Sequence, residues 1–207
     1  MYYIVLAAFF AMILIYLYYQ RMKTRPGQKL IKRIIVKCAA TLMTVLVCLL
    51  GALENGVPAD WVMLAGLVAC MVADGVLCVH FVAGAACFGL GHLLYIIAFS
   101  MMRLPSWGSL VLFACMLVTI TYLCERWKRR MGRRAPVFFA YGVLLCLMAS
   151  VSVAQRPLFF AGGMLFAISD GLLAYMLFDR HNVKMDYISL ALYYLGQFLM
   201  GFAVLAG

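Results

Sequence analysis

Apolar residues run along this chain in long blocks, broken by short polar stretches. The blocks cover residues 2–19, 34–53, 61–79, 82–101, 107–124, 135–154, 158–178 and 187–206. Each is close to the ~20 residues a helix needs to cross the hydrocarbon core of a bilayer. The blocks are continuously apolar instead of alternating every second residue. That pattern predicts helices, which satisfy their own backbone hydrogen bonds in lipid, and not the strands of a barrel. The expectation is therefore an all-α polytopic membrane protein: one domain over residues 1–207 with eight transmembrane helices. The first block is followed, not preceded, by basic residues and has no small-residue cleavage pattern. It reads as an uncleaved span, not a signal peptide.

Composition agrees with this reading. Hydrophobic residues make up 68% of the 207 positions and charged residues only 12%. A soluble domain cannot hide that much apolar surface. The net charge of +10 raises the question of nucleic acid. The distribution of charge answers it. Stretches 20–33 and 125–134 carry six Lys/Arg each and 179–186 carries two, whereas the intervening connections hold only Arg103 and Arg156. This alternation is the positive-inside pattern. It predicts basic loops in the cytosol and both termini outside, in the inner membrane if the source is bacterial. The basic runs suit anionic lipid headgroups, and no base-stacking or groove-reading motif accompanies them, so no nucleic-acid partner is expected. All eight cysteines lie inside blocks without a CxxC pair. They read as packing residues, with no disulfide frame, no metal site and no cofactor.

Two blocks contain an aspartate in nearly the same setting: VADGVLC at 72–78 and ISDGLLA at 168–174. With Asp74 set over Asp170, Gly66 meets Gly162, Val72 meets Ile168, Gly75 meets Gly171 and Leu77 meets Leu173. Four spans separate the aspartates, so both helices run in the same direction. The halves read as a parallel 4+4 repeat. Each aspartate sits about 20 Å below the outer surface at 1.5 Å per residue.

Ionisable groups inside spans are costly and usually face the bundle interior or a wet cavity. Asp74 and Asp170 are the only intramembrane carboxylates, Lys37 the only cation well inside a span, and His92 the only histidine so placed. Tyr95, Tyr141, Tyr193, Tyr194 and Gln197 fall at comparable depth, and together these groups read as one constellation. His92 and Tyr95, Tyr193 and Gln197, and Lys37 and Thr41 are pairs at helical spacing. The bland readings are a satisfied core histidine, a lysine snorkelling to the interface and tyrosines of an interfacial belt. Two buried carboxylates sharing one proton would provide an acid and an ionised partner. That division suits hydrolysis through an oxocarbenium-like intermediate, aspartyl proteolysis or proton-coupled transport of a small amphiphile.

The chain resembles the YhhN family of integral membrane lysoplasmalogenases. The matching pieces are Lys37, the run into Asp74 with Leu77 behind it, GHLLYIIAF at 91–99, Tyr141 with Met148, GGMLFAISDGLLA at 162–174 and YYLGQFLMG at 193–201. They cover spans two to eight in order. The chain departs from the family pattern with Lys37-Cys38 in place of Lys-Pro and Ala73-Asp74 in place of Gly-Asp. The resemblance implies cleavage of the vinyl ether of lysoplasmalogen to a fatty aldehyde and glycerophosphoethanolamine or glycerophosphocholine, without a metal. Asp74 and Asp170 would then be the acid/base pair, with neither role assigned. His92 would join them as a catalytic residue and, with Tyr95, Tyr193 and Gln197, orient water or the carboxylates; Tyr95, Tyr141, Tyr193, Tyr194 and Gln197 would bind substrate. Lys37 would bind the substrate phosphate or tune the pair. The partners would be the lysophospholipid and membrane lipid; an oligomer is not predicted. A protease reading is weakened because neither aspartate follows the GxG that intramembrane aspartyl proteases carry.

Overall fold

The computed structural model describes residues 2–24 and 27–207. Arg25 and Pro26, part of the first basic stretch, lie outside the described residues. Eight α-helices follow one another: α1 (Tyr2–Lys23), α2 (Leu30–Asn55), α3 (Pro58–Leu77), α4 (Phe81–Met102), α5 (Trp107–Met131), α6 (Ala135–Val151), α7 (Pro157–Phe178) and α8 (Val183–Leu205). There is no strand among the described residues. Among the described residues, seven helical stretches are long and apolar enough to cross a membrane. One of them, Trp107–Ala154, is a 48-residue run that contains both α5 and α6, joined by a 3-10 turn at Gly132–Arg134. The chain is an integral membrane protein.

Local chemistry sets most helix ends. Prolines stand in the first turns of α3, α6 and α7, where no intrahelical donor is lost. Ser106 and Ser109 form a capping box at α5, and the Asn182 side chain accepts from Lys184 N to open α8. Gly56 closes α2 with φ of 66°, a left-handed conformation that favours glycine.

The main departure from the sequence reading is at residues 125–131, expected as a loop but folded as the last two turns of α5. Trp127 and Met131 are four residues apart and buried, and with Cys124 and Phe178 they form a small core of their own. The apolar stripe thus continues through the basic run. The last-turn cations Lys128, Arg129 and Arg130 also complement the helix dipole.

The polar connections gather at two ends. Lys23 pairs with Asp186, and Arg130 pairs with Asp179 at 3.1 Å, so the ends of α1, α5 and α7 and the start of α8 meet at one basic end. At the other, Asn55 donates to Asp60 and to the Val204 carbonyl. Arg103 donates there to the Ala154 carbonyl, and Gln155 to the Phe99 and Arg103 carbonyls.

Between the ends, α3 packs on α4 and α7 on α8, while α2 contacts α1, α3 and α8. Three of these crossings are backbone-close; in α2 on α8, a Cβ built on Gly51 would lie 2.6 Å from Leu205 Cα. A Cβ built on Gly66 would lie 2.5 Å from the Tyr95 ring and 3.3 Å from the Gly91 carbonyl oxygen. A Cβ on Gly162 would lie 2.8 Å from the Gly196 carbonyl oxygen. Gly171 is the contrast, because nothing lies within 4 Å of its added Cβ. Gly162→Ala is expected to destabilise the fold by about 1–3 kcal/mol through overpacking. Gly171→Ala should stabilise it by about 0.5–1 kcal/mol by limiting the unfolded chain. Denaturation midpoints in detergent check the pair, and equal shifts would contradict the crossing.

Candidate functional site

Asp74 sits in α3 with no solvent exposure. Its Oδ2 accepts from Thr41 Oγ1 at 2.5 Å and from Tyr193 OH at 2.8 Å. Its Oδ1 meets Lys37 Nζ at 3.1 Å as an ion pair, without hydrogen-bond alignment. Lys37 and Thr41 reach the carboxylate together because four residues on α2 bring both to one face. Lys37 is 7% exposed, so it does not snorkel to the interface. Tyr194 OH donates to the Lys37 carbonyl at 3.3 Å and braces the same turn. Asp74 is thus a carboxylate whose charge is already matched and whose Oδ2 already accepts two hydrogen bonds.

Asp170 is placed differently. It is half-buried on α7 and accepts a hydrogen bond from Tyr141 OH of α6. Tyr141 OH also lies 3.2 Å from His92 Nε2. Since the tyrosine spends its one proton on Asp170, His92 donates through Nε2. Its Nδ1 is then a buried acceptor without a partner among the described residues. Asp170 and Tyr141 line a cavity of about 220 Å³ between α4, α5, α6 and α7. Its other walls are almost wholly apolar, with Phe88, Ile120, Leu145 and Leu173 among them. Along α5 it extends from Met116 to Met131, roughly 22 Å at 1.5 Å per residue. It thereby reaches the basic end, where Trp127 and Phe178 form its rim. There Arg130 holds the Asp179 carboxyl below the usual carboxylate range by hydrogen bonding.

The expected single constellation is therefore three groups. Lys37, Asp74, Tyr193 and Tyr194 form one; His92, Tyr141 and Asp170 form the second. Tyr95 OH donates to Gln197 Oε1 at 2.7 Å and makes the third, deep between α4 and α8. The two carboxylates are not hydrogen-bonded to each other, so a proton shared directly between them is not the arrangement found. The cause is the packing of α8 and α4 between α3 and α7. Phe166 and Tyr193 rings lie 5.3 Å apart, Phe88 and Tyr193 5.7 Å, and His92 and Phe166 4.8 Å. This aromatic cluster joins the Asp74 group to the cavity wall without opening Asp74 to the cavity. Position along a helix carries no information about which helix faces which. The sequence reading left Thr41 out of the site, although its spacing from Lys37 was the signal that could have placed it there. The apolar cavity walls had no such signal, since their residues look like any lipid-facing stretch.

A model of the YhhN family matches residues 32–204. The chain belongs to the YhhN family. The match begins just ahead of Lys37 and ends near the close of α8, so every member of the three polar groups lies within the family's part of the chain. No curated protein and no solved structure matches it. No group of three or more His, Cys, Asp or Glu among the described residues could hold a metal ion. The titratable groups that line the cavity are the Asp170 carboxyl, the Tyr141 phenol and the Cys124 and Cys146 thiols, with the His92 imidazole held behind Tyr141.

Proposed function

We propose that this YhhN-family protein hydrolyses the vinyl ether of lysoplasmalogen, with Asp170 as the carboxyl that reaches the substrate. One observation carries the reading: among the described residues, Asp170 is the carboxylate that lines the apolar cavity. Family membership supports lysoplasmalogenase-like hydrolysis. The alkenyl chain would occupy the cavity and the phosphate-bearing headgroup would meet the basic rim.

The steps follow from the chemistry of an enol ether. Protonated Asp170 gives its proton to the β-carbon of the vinyl ether, and the double-bond electrons form the new C–H bond. The oxygen lone pair then stabilises the resulting oxocarbenium ion, and the ionised Asp170 lies beside that cation. Water adds to the cationic carbon and loses a proton to the same carboxylate. The hemiacetal collapses to the aldehyde and the glycerol hydroxyl. Tyr141 orients the carboxyl, and His92 orients Tyr141. Asp74, held by Lys37, Thr41 and Tyr193, is a positioning residue that acts through the Tyr193 and Phe88 rings.

The proposal includes eight crossings. α5 and α6 pack on each other, with Ile120 against Gly142, which supports reading the 48-residue stretch as a hairpin. It also includes a parallel repeat, supported by the matched crossings of Gly66 on Gly91 and Gly162 on Gly196. His92 and Gln197 each follow the second glycine of their pair by one residue. The basic end is assigned to the cytosol.

The test is release of free fatty aldehyde from lysoplasmenylethanolamine by purified protein in detergent. Aldehyde formation supports hydrolysis; its absence in well-folded protein rejects it and favours proton-coupled transport through the same bundle. A substitution at the cavity wall gives a second reading. Gly171→Phe places a ring in the open space beside Asp170 and should lower kcat/KM about tenfold or more, chiefly through KM. An unchanged KM would place the substrate chain elsewhere.

A further inference from the structure

At the end of the bundle remote from the basic loops lies a second cavity, of about 540 Å³. Asn55, Asp60, Arg103, Gln155, Arg156 and Phe159 are among its lining residues. Fourteen residues of α3 separate Asp60 from Asp74, and fourteen of α7 separate Arg156 from Asp170. At 1.5 Å per residue the two levels are roughly 21 Å apart. The cavity is therefore not an extension of the one that Asp170 lines.

Its charged side chains form no ion pair among the described residues. Arg103 and Arg156 have no carboxylate partner at ion-pair distance among the described residues. Asp60 is 4% exposed, and its hydrogen-bond donor among side chains is the neutral Asn55 amide at 2.9 Å. Asp60 gains something from the start of α3, whose dipole favours an anion. Helix position alone leaves unexplained why a nearly buried carboxylate shares a cavity with two unpaired guanidiniums.

The frame around these groups is tied. Arg103 donates to the Ala154 carbonyl at 3.3 Å, and Gln155 donates back to the Arg103 carbonyl at 3.0 Å. The Arg156 guanidinium sits 5.4 Å from the centre of the Phe159 ring, a cation–π arrangement that steadies its position. Asn55 is fixed by a second bond to the Val204 carbonyl at 2.8 Å.

We propose that this cavity binds a zwitterionic phosphoethanolamine group, with Arg103 and Arg156 on the phosphate and Asp60 on the ammonium. Two guanidiniums suit a phosphodiester, which offers several acceptor oxygens. A nearly buried carboxylate needs N–H donors; a primary ammonium supplies three and a quaternary ammonium none. The group can come from a membrane lipid or from a water-soluble phosphoester. This site is independent of the hydrolysis proposed above, and its test does not read aldehyde.

The experiment measures ligand-dependent thermal stabilisation of the purified full chain in detergent. The probes are dioleoylphosphatidylethanolamine, dioleoylphosphatidylglycerol and glycerophosphoethanolamine. The wild type is expected to bind the ethanolamine lipid more tightly than the glycerol lipid. Arg103→Gln with Arg156→Gln should weaken ethanolamine-lipid binding about tenfold or more, the effect of losing charge-assisted hydrogen bonds. Asp60→Asn should retain lipid binding but lose the preference for ethanolamine. Stabilisation by glycerophosphoethanolamine assigns the soluble source, and stabilisation by the lipid alone assigns the membrane. Arg156→Gln, an exposed position, serves as the single variant should Asp60→Asn fail to fold. Unchanged binding in the arginine variants, or no preference between the two lipids in the wild type, overturns the proposal.

Discussion

Asp170→Asn is expected to abolish aldehyde release while leaving the protein folded. The amide keeps the shape of the carboxyl and can still accept from Tyr141, so packing around α6 and α7 is preserved. In the proposed reaction, what it loses is the proton for the vinyl carbon and the anion beside the oxocarbenium ion. Positioned general acid–base catalysis contributes about 10²–10⁴-fold, and loss of the anion adds to that. The decrease should appear in kcat with little change in KM, because the cavity walls that hold the chain are untouched. Asp74→Asn provides the contrast. Asp74 does not line the cavity, so this variant should keep measurable turnover. Equal inactivation of both variants at unchanged stability would restore a symmetric dyad and reject the roles assigned here. Full activity in Asp170→Asn would reject carboxylate catalysis at this position.

Lys37→Met is the second large effect, and it is on stability. Lys37 and Asp74 are 7% and 0% exposed, and their charged atoms are 3.1 Å apart. Removing the amine leaves a buried carboxylate with two hydroxyl donors and no countercharge. Breaking a buried pair from one side costs about 3–5 kcal/mol. That is a large share of the 5–15 kcal/mol typical of a folded domain. Lys37→Met with Asp74→Asn should recover most of the loss, since neither partner then carries charge. The four denaturation midpoints form a double-mutant cycle with a coupling of about 0.5–3 kcal/mol or more. If Lys37→Met unfolds at the wild-type midpoint, the ion pair does not hold α2 to α3.

Much of this molecule was legible in its residues, for reasons that can be named. The blocks of apolar residues predicted the helices because lipid leaves the backbone no other partner than itself. The first block, 2–19, became α1 with four further residues, and 82–101 became α4 with one residue added at each end. The polar positions were legible for the same reason: a charge inside such a block is costly, so Lys37, Asp74, His92 and Asp170 stood out. Helical spacing placed Lys37 beside Thr41 before any packing was known. The continuation of α5 to Met131 was missed because a run of cations masked Trp127 and Met131. Their value as core depends on Phe178, which is forty-seven residues from Met131 in sequence.

The sequence by itself determined that the chain is helical, membrane-embedded and organised around a few buried polar groups. Those properties follow from transfer free energies, which each residue carries with it. Tertiary structure alone decided which polar group meets which. Lys37 could reach Asp74 only because α2 packs on α3, and Tyr141 could reach Asp170 only because α6 brings its phenol to α7. It also made the two aspartates unequal, one sealed in an ion pair and one facing a cavity. Two similar motifs encode similar local sequence. Accessibility depends on neighbours, and the neighbours of the two motifs differ.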